Sequence, residues 1–112
     1  MKIHLIRERV TREQLDEMLA TLKARIKLAV DVERGILAGG GEMHADCEAI
    51  LLEDGSRQEN VWGADWYPTT QAVGYESLIN IRSRQNNPSL ELLDTELRQR
   101  VEQITVRLLG DV

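Results

Sequence analysis

The chain is organised around one stretch, GGGEMHADCE at residues 39–48, which leads through DG at residues 54–55 to WGADWYP at residues 62–68. This stretch holds one of the two histidines, the only cysteine, both tryptophans and five of the eight glycines. Its conformation decides how the rest of the chain is arranged around it. It contains no motif that identifies a reaction.

Residues 43–53 admit two interpretations. Small or apolar side chains recur at every second position, as in a strand. These positions are Ala45, Cys47, Ala49 and Leu51. Ile50 and Leu52 are apolar as well, which a central strand covered on both faces explains. We therefore predict a strand over 43–53, and a helix over 42–52 is the alternative.

The dipeptide at 54–55, Asp-Gly, predicts a hairpin, because a tight turn of the right twist needs residues that tolerate positive φ. The returning strand is then expected over 57–62. Residues 68–74 are expected to form a loop. The apolar run at 78–82 predicts a last strand.

The N-terminal third predicts a strand, a helix and a second strand. Residues 2–7 carry a short apolar run with polar ends. Thr11 and Gln14 form a capping box, in which each side chain bonds the other residue's backbone N–H, so we place a helix at about 11–24. Alternation of apolar and charged residues over 26–32 predicts a half-buried strand. If the two strands are parallel neighbours, their crossover is right-handed.

Local signals also place the remaining elements. Residues 36–38 predict a short strand, and the three glycines at 39–41 predict a break after it. Asp94 is the expected N-cap of a final helix, and Gly110 is its expected stop. The chain is thus read as an α+β domain spanning residues 1–112: two layers, with a mainly antiparallel sheet of about five or six strands and two helices packed on one face. The opposite face would be free to bury against another subunit, which predicts a homodimer.

Composition excludes several classes of protein. Nineteen acidic and fourteen basic residues give a net charge of -5, which disfavours nucleic acid as a partner. A single cysteine and the lack of a secretory leader predict a cytoplasmic location. The apolar runs are only a few residues long, far below the roughly 20 that span a bilayer, so no membrane insertion is expected.

A metal site is one chemical interpretation of the central stretch. On a strand, His44, Asp46 and Glu48 point to the same face, and an imidazole with two carboxylates is a ligand set for a divalent cation. Asp31 or Glu33, across the sheet, would complete it. The alternative is a solvated strand face without a metal.

Other residues of the stretch have simpler interpretations. Cys47 points away from His44 on a strand and is expected to be a small buried apolar residue rather than a nucleophile. The glycines at 39–41 lack the spacing of phosphate-binding loops, so turn geometry is favoured. Trp62 and Trp66 either line a pocket or plug the sheet. His4, inside an apolar run, is expected to be a core histidine.

The chain resembles a family of small, uncharacterised, mainly bacterial proteins grouped as a domain of unknown function. The resemblance rests on residues 36–42, 44–48, 51–56, 62–66 and 79–82. Members more often carry proline at the position of Ser83. The resemblance implies one intact domain, and it implies no activity, ligand or catalytic residue.

Two hypotheses of function follow. The first is a non-enzymatic binding module for a ligand or a protein, acting as a homo-oligomer and needing no cofactor. Its binding residues would be His44, Asp46, Trp62, Asp65, Trp66 and Arg82. The second is a small metal-dependent hydrolase with His44, Asp46 and Glu48 as ligands and Asp65 as general base. An inhibitor or antitoxin-like partner also fits the size and acidity, but no particular residue supports it.

Overall fold

The structure, a computed structural model, describes residues 2–112, in which five strands form one antiparallel sheet and three α-helices pack on it. In chain order the elements are β1 (His4–Ile6), α1 (Arg12–Leu19), β2 (Ile26–Asp31), β3 (Ile36–Gly41), α2 (His44–Glu53), β4 (Val61–Tyr67), β5 (Ala72–Gly74) and α3 (Thr95–Leu109). Short 3-10 helices lie at Gln58–Asn60, Leu78–Asn80 and Ser83–Gln85. The α+β class and the antiparallel five-stranded sheet are confirmed, whereas the expected count of two helices is wrong.

The first and last helices begin at the predicted caps. The hydroxyl of Thr11 accepts a hydrogen bond from the Gln14 backbone N–H at 3.1 Å, and the Gln14 side chain accepts one from the Thr11 N–H at 3.0 Å. The Asp94 carboxylate accepts from the Leu97 N–H at 2.9 Å, and α3 ends at Gly110. These ends are satisfied by residues close in sequence, which is why the sequence alone located them.

The sheet order is β1-β3-β2-β4-β5, so β1 and β2 are not neighbours. Strand β3 lies between them and is antiparallel to both, which excludes the parallel crossover. The predicted break at 39–41 is also wrong, because β3 runs on to Gly41. Gly40 is the extra residue of an irregularity opposite Lys27 and Leu28, at φ +106. A Cβ there would lie 2.3 Å from a backbone oxygen, so the position requires glycine.

Residues 44–53 form the helix α2, so the strand prediction is wrong and the helix alternative is right. Cys47, Ile50 and Leu51 pack on the sheet at spacings of three and one, as on one side of a helix. The predicted hairpin is absent, because Gly55 ends the helix at φ +100. The Gly55 N–H donates to the Leu52 carbonyl at 3.1 Å and the Ser56 N–H to that of Leu51 at 3.0 Å, a Schellman motif. The returning strand starts at Val61 rather than at residue 57.

Residues 78–82 are not a strand: Leu78–Asn80 form a 3-10 turn, and residues 81–82 link it to a second turn at Ser83–Gln85. The Asn80 side chain takes the place of a strand there. Its Oδ1 accepts from the Gly63 N–H at 2.8 Å and its Nδ2 donates to the Gly63 carbonyl at 3.0 Å. The edge of β4 beyond the short β5 is therefore paired by an amide side chain. Strand β5 itself lies within residues 68–74, which were expected to be loop.

The three helices cover both faces of the sheet. Helices α1 and α3 pack on one face over a large aliphatic core that includes Trp62 and Trp66. Helix α2 packs on the other face over a smaller cluster of Ala29, Ile36, Ala38, Cys47, Leu51 and Val61. The sheet face that was expected to be free for another subunit is thus covered by α2, which removes the reason for a dimer on that face.

Candidate functional site

The first turn of α2 brings His44 against Asp65 of β4. The His44 Nε2 lies 2.9 Å from Asp65 Oδ1 and 3.0 Å from the Ala64 carbonyl oxygen, and both side chains are only 10% exposed. Both neighbours are acceptors, so Nε2 is assigned as the protonated nitrogen. No hydrogen bond from the described residues engages Nδ1, and this atom is not enclosed. Nδ1 is therefore the free polar atom of the pair.

A cavity of about 310 Å³ opens in front of this pair. Its lining combines basic, acidic and apolar side chains from four parts of the chain. They are Arg25, Lys27, Met43, His44, Ala45, Asp65, Glu76, Ser77, Leu78, Ile79 and Leu90. Met43, Leu78 and Leu90 are 49%, 68% and 43% exposed, so large apolar groups stand in water around a polar floor.

The two basic residues of the cavity differ in their partners. Arg25 lies beside the Tyr67 hydroxyl, and this contact, with the charge of Asp65, raises the pKa of Arg25. Lys27 is half-buried, yet no hydrogen bond or ion pair joins its ammonium group to any residue in the range 2–112. Lys27 is therefore a cation of the cavity without a protein acceptor in the described part of the chain.

Arg82 lies in a second polar cluster, under the C-terminal half of α2. Its guanidinium donates to the carbonyls of Ile79 at 2.9 Å, of Gln58 at 2.6 Å and of Val61. It also stacks 4.2 Å from the Trp62 ring centroid. Burial lowers the pKa of Arg82, and the charge of Glu48, 3.6 Å away, opposes this. With its donors occupied by backbone carbonyls, Arg82 fastens segments together rather than facing a ligand.

Two buried asparagines hold the irregular segment that carries Leu78 and Leu90. Beside the Asn80 bonds to Gly63, the Asn87 Nδ2 donates to the carbonyls of Asn80, Ser89 and Glu91 at 2.8, 3.1 and 3.1 Å. Asn87 and Asn80 are 3% and 0% exposed. The rim of the cavity is therefore fixed by buried hydrogen bonds although it has no regular secondary structure.

The structure brings together only some of the predicted site residues. His44 and Asp65 meet, and Trp62 contacts Arg82. Trp66 is fully buried in the α1 and α3 core, where no ligand reaches it. Asp46 lies two positions after His44, about 200° around the helix, so it does not share the cavity. Lys27, Met43, Leu78 and Leu90 were missed. The exposed apolar run at 78–82 was the available signal, but it was interpreted as a strand.

The three residues of the predicted metal site do not converge. His44 pairs with Asp65, Glu48 lies beside Arg82, and Asp46 is on another side of α2. Within residues 2–112 no group of three or more His, Cys, Asp or Glu is placed to hold a metal ion. The expected strand that aligned these side chains is wrong, and the shared face is lost with it.

Asp31 and Glu33, the proposed supplementary ligands, instead close a turn. Asp31 Oδ1 accepts hydrogen bonds from the backbone N–H groups of Glu33 and Arg34, both at 2.9 Å. The glycines at 39–41 are paired within the sheet, so they form neither a turn nor an open phosphate loop. His4 lies half-buried beside Glu17, with 3.4 Å between the two side chains.

Cys47 is fully buried, as expected for a small apolar residue. Burial raises the pKa of its thiol to about 11. Its Sγ lies 3.4 Å from the Lys27 carbonyl oxygen, to which the thiol donates. The neutral thiol is a poor nucleophile, so Cys47 belongs to the packing of α2.

Comparison with known proteins identifies the family of this sequence. The chain belongs to the family described as protein of unknown function DUF5674, whose model matches residues 4–108. No curated protein and no solved structure matches the chain. None of the helices in the described residues is long and apolar enough to cross a membrane.

Proposed function

We propose that this protein is a non-enzymatic binding module of the bacterial cytoplasm. Its binding surface, here named the α2 surface, is the cavity in front of the first turn of α2. Its floor is Lys27, His44 and Asp65, and its rim is Met43, Leu78 and Leu90. The proposal includes self-association or a protein partner on the same surface. A single cysteine, which cannot form an internal disulfide, supports the cytoplasmic setting, and the resemblance to a mainly bacterial family supports the bacterial one.

One observation carries the proposal: a buried polar pair lies beneath three exposed apolar side chains. Grouped exposed apolar surface mostly marks a place where a ligand or another protein binds. A few fixed polar groups at the base of an apolar cavity are the usual composition of a ligand site, because they orient what the apolar rim holds. His44 and Asp65 are fixed in this way by their mutual hydrogen bond.

The α2 surface supports binding better than catalysis because it offers no activated nucleophile. Ser77 lines the cavity, but its hydroxyl accepts from the Ile79 N–H at 3.3 Å and does not bond His44. The second candidate is a metal-independent hydrolase in which Nδ1 of His44 acts as a general base on water. The Asp65 carboxylate favours it, since it fixes the imidazole tautomer.

A pair of surface variants tests the binding proposal. Leu78→Asp places a charge on the rim, and Val106→Asp, at a 43% exposed position on α3, is the matched control on the other layer. We expect Leu78→Asp to abolish self-association in sedimentation velocity, and any thermal stabilisation by a metabolite mixture, whereas Val106→Asp keeps both. Loss with Val106→Asp alone, or no loss with either variant, would contradict the proposal.

A hydrolysis assay separates the second candidate from the first. Screens with activated esters and phosphate esters should show no turnover that depends on His44. If wild-type turnover is found and His44→Gln removes it while Lys23→Gln, at an exposed position outside the cavity, keeps it, the general-base role takes precedence over the binding module.

A further inference from the structure

Lys27 is the feature of the α2 surface that the fold leaves unexplained. The half-buried arginines of the described chain all have acceptors: Arg25 has Tyr67, Arg82 has three carbonyls, and Arg98 has Glu91. Lys27 shares their partial burial but has no acceptor among residues 2–112. Lys27 lines the cavity, where a ligand can reach its side chain.

Neither acidic residue that lines the cavity, Asp65 or Glu76, forms an ion pair with Lys27. Asp65 is directly opposite Lys27 in the β2 and β4 register, yet its carboxylate bonds His44 at 2.9 Å instead. Glu76 is exposed at the rim, where water and salt screen its charge. The floor therefore holds one ammonium group without a direct acceptor among the described residues, and that group can pair with an anionic head group.

Among the described residues of the cavity floor, Lys27 is the one cation, so it would carry the hydrogen bonds to an anion there. A dianionic phosphate group fits less well, because its second charge would face Asp65 with only one free ammonium.

The rim defines the rest of the ligand. Met43, Leu78 and Leu90 offer aliphatic contact above the floor, and about 310 Å³ is the volume of a small-molecule site rather than of a single ion. We infer that the α2 surface binds a small aliphatic monocarboxylate. Its carboxylate pairs with Lys27, and its chain lies against Leu78 and Met43. This inference rests on the proposed binding function and names the ligand class.

Calorimetric titration with octanoate, octan-1-ol, octylamine and octyl phosphate at neutral pH tests the inference. Each of these molecules has eight carbons in an unbranched chain, and they differ in the head group. We expect octanoate to bind most tightly, about tenfold more tightly than octylamine. Lys27→Gln should weaken octanoate about tenfold and leave octan-1-ol unchanged. Lys23→Gln, which removes an exposed lysine outside the cavity, should change neither.

The possible outcomes separate the ligand class from the binding function. Tighter binding of octylamine or octyl phosphate, or octanoate binding that Lys27→Gln does not weaken, overturns the carboxylate inference while the surface still binds. Equal binding of octan-1-ol and octanoate does the same. If none of the four binds, the inference is overturned, and the Leu78→Asp and Val106→Asp pair then decides whether the surface binds a protein instead.

Discussion

The two faces of the sheet bury different kinds of side chain. The face under α1 and α3 is closed by aliphatic residues and both tryptophans, and a buried polar group such as Thr105 bonds its own helix at Val101. The face under α2 has a smaller apolar cluster and buries several polar side chains: His44, Glu48, Asp65 and Asn80. The first face supplies most of the apolar core, and the second carries the polar groups of the proposed binding surface, His44 and Asp65.

The largest effect should come from the closed face. Leu28 is fully buried there, and Leu28→Ala should lower the free energy of unfolding by about 2–5 kcal/mol, since it removes apolar contacts and leaves a cavity. Leu78→Ala, at a 68% exposed position on the α2 side, should change it by less than about 0.5 kcal/mol. Urea denaturation measures both. Similar losses for the two variants would remove the distinction between the faces.

The α2 side should lose stability through hydrogen bonds instead. Asn80→Ala leaves the Gly63 N–H and carbonyl unpaired at a fully buried place, and it should cost about 2–3 kcal/mol. Gln99→Ala, which removes an exposed amide from α3, is the control and should cost little. Urea denaturation of the pair gives the difference. A neutral Asn80→Ala would show that the edge of β4 does not depend on this side chain.

The end of α2 should show a smaller effect. Gly55 has φ +100 and open space around its Cα, so Gly55→Ala adds strain without a clash and should cost about 1–2 kcal/mol. Gly55→Asn should cost less, because asparagine tolerates this region better. Thermal unfolding followed by circular dichroism compares the two. Equal losses of stability for the two variants would contradict a left-handed backbone conformation at residue 55.

The smallest expected effect is a change in folding stability at low pH. Hydrogen bonds from Arg7 and Arg34 lower the pKa of Asp54 from 3.8 to about 2. A folded-state pKa below the unfolded value means that this stabilisation is complete above pH 3.8 and is lost as pH falls towards 2. The double variant Arg7→Gln/Arg34→Gln should show a smaller change of stability with pH in that window. The slope of stability against pH at pH 7–8 should stay the same. An unchanged slope in the acid window for the double variant would show that Asp54 does not contribute to the loss of stability in acid.

The parts of the fold that the sequence predicted correctly are those decided by near neighbours. Thr11 with Gln14, and Asp94 with Leu97, satisfy helix ends within one turn. The alternation over 26–32 identifies β2 for the same reason, because each face is set by adjacent residues. Elements of this kind need no knowledge of the partner that they pack against.

Two elements depend on distant partners, and both were misread. The small residues of 44–53 fit a strand or a helix, and α2 packs where glycine gives it room: a Cβ on Gly41 would lie 3.3 Å from the Cys47 sulfur. The run at 78–82 fits a strand, yet the Asn80 amide pairs β4 in place of a backbone. The pattern over 44–53 is therefore ambiguous, and the pairing by Asn80 leaves no periodic signal in the sequence.

The candidate site likewise contains residues that the sequence predicted and residues that it did not. Clustering of polar residues pointed to His44 and Asp65, which do meet. Lys27 was an unremarked polar position of a half-buried strand, and Leu78 was placed on a predicted strand. Only the packing of α2 over β2 and β4 places them around one cavity.

The most direct test of the binding surface is a map of backbone amide chemical shifts as octanoate is added to the labelled protein. We expect the perturbed amides to cluster at Lys27, at 43–45, and around Leu78 and Leu90, with α1 and α3 unaffected. Perturbations centred on α1 and α3 would contradict the assignment of recognition to the α2 face.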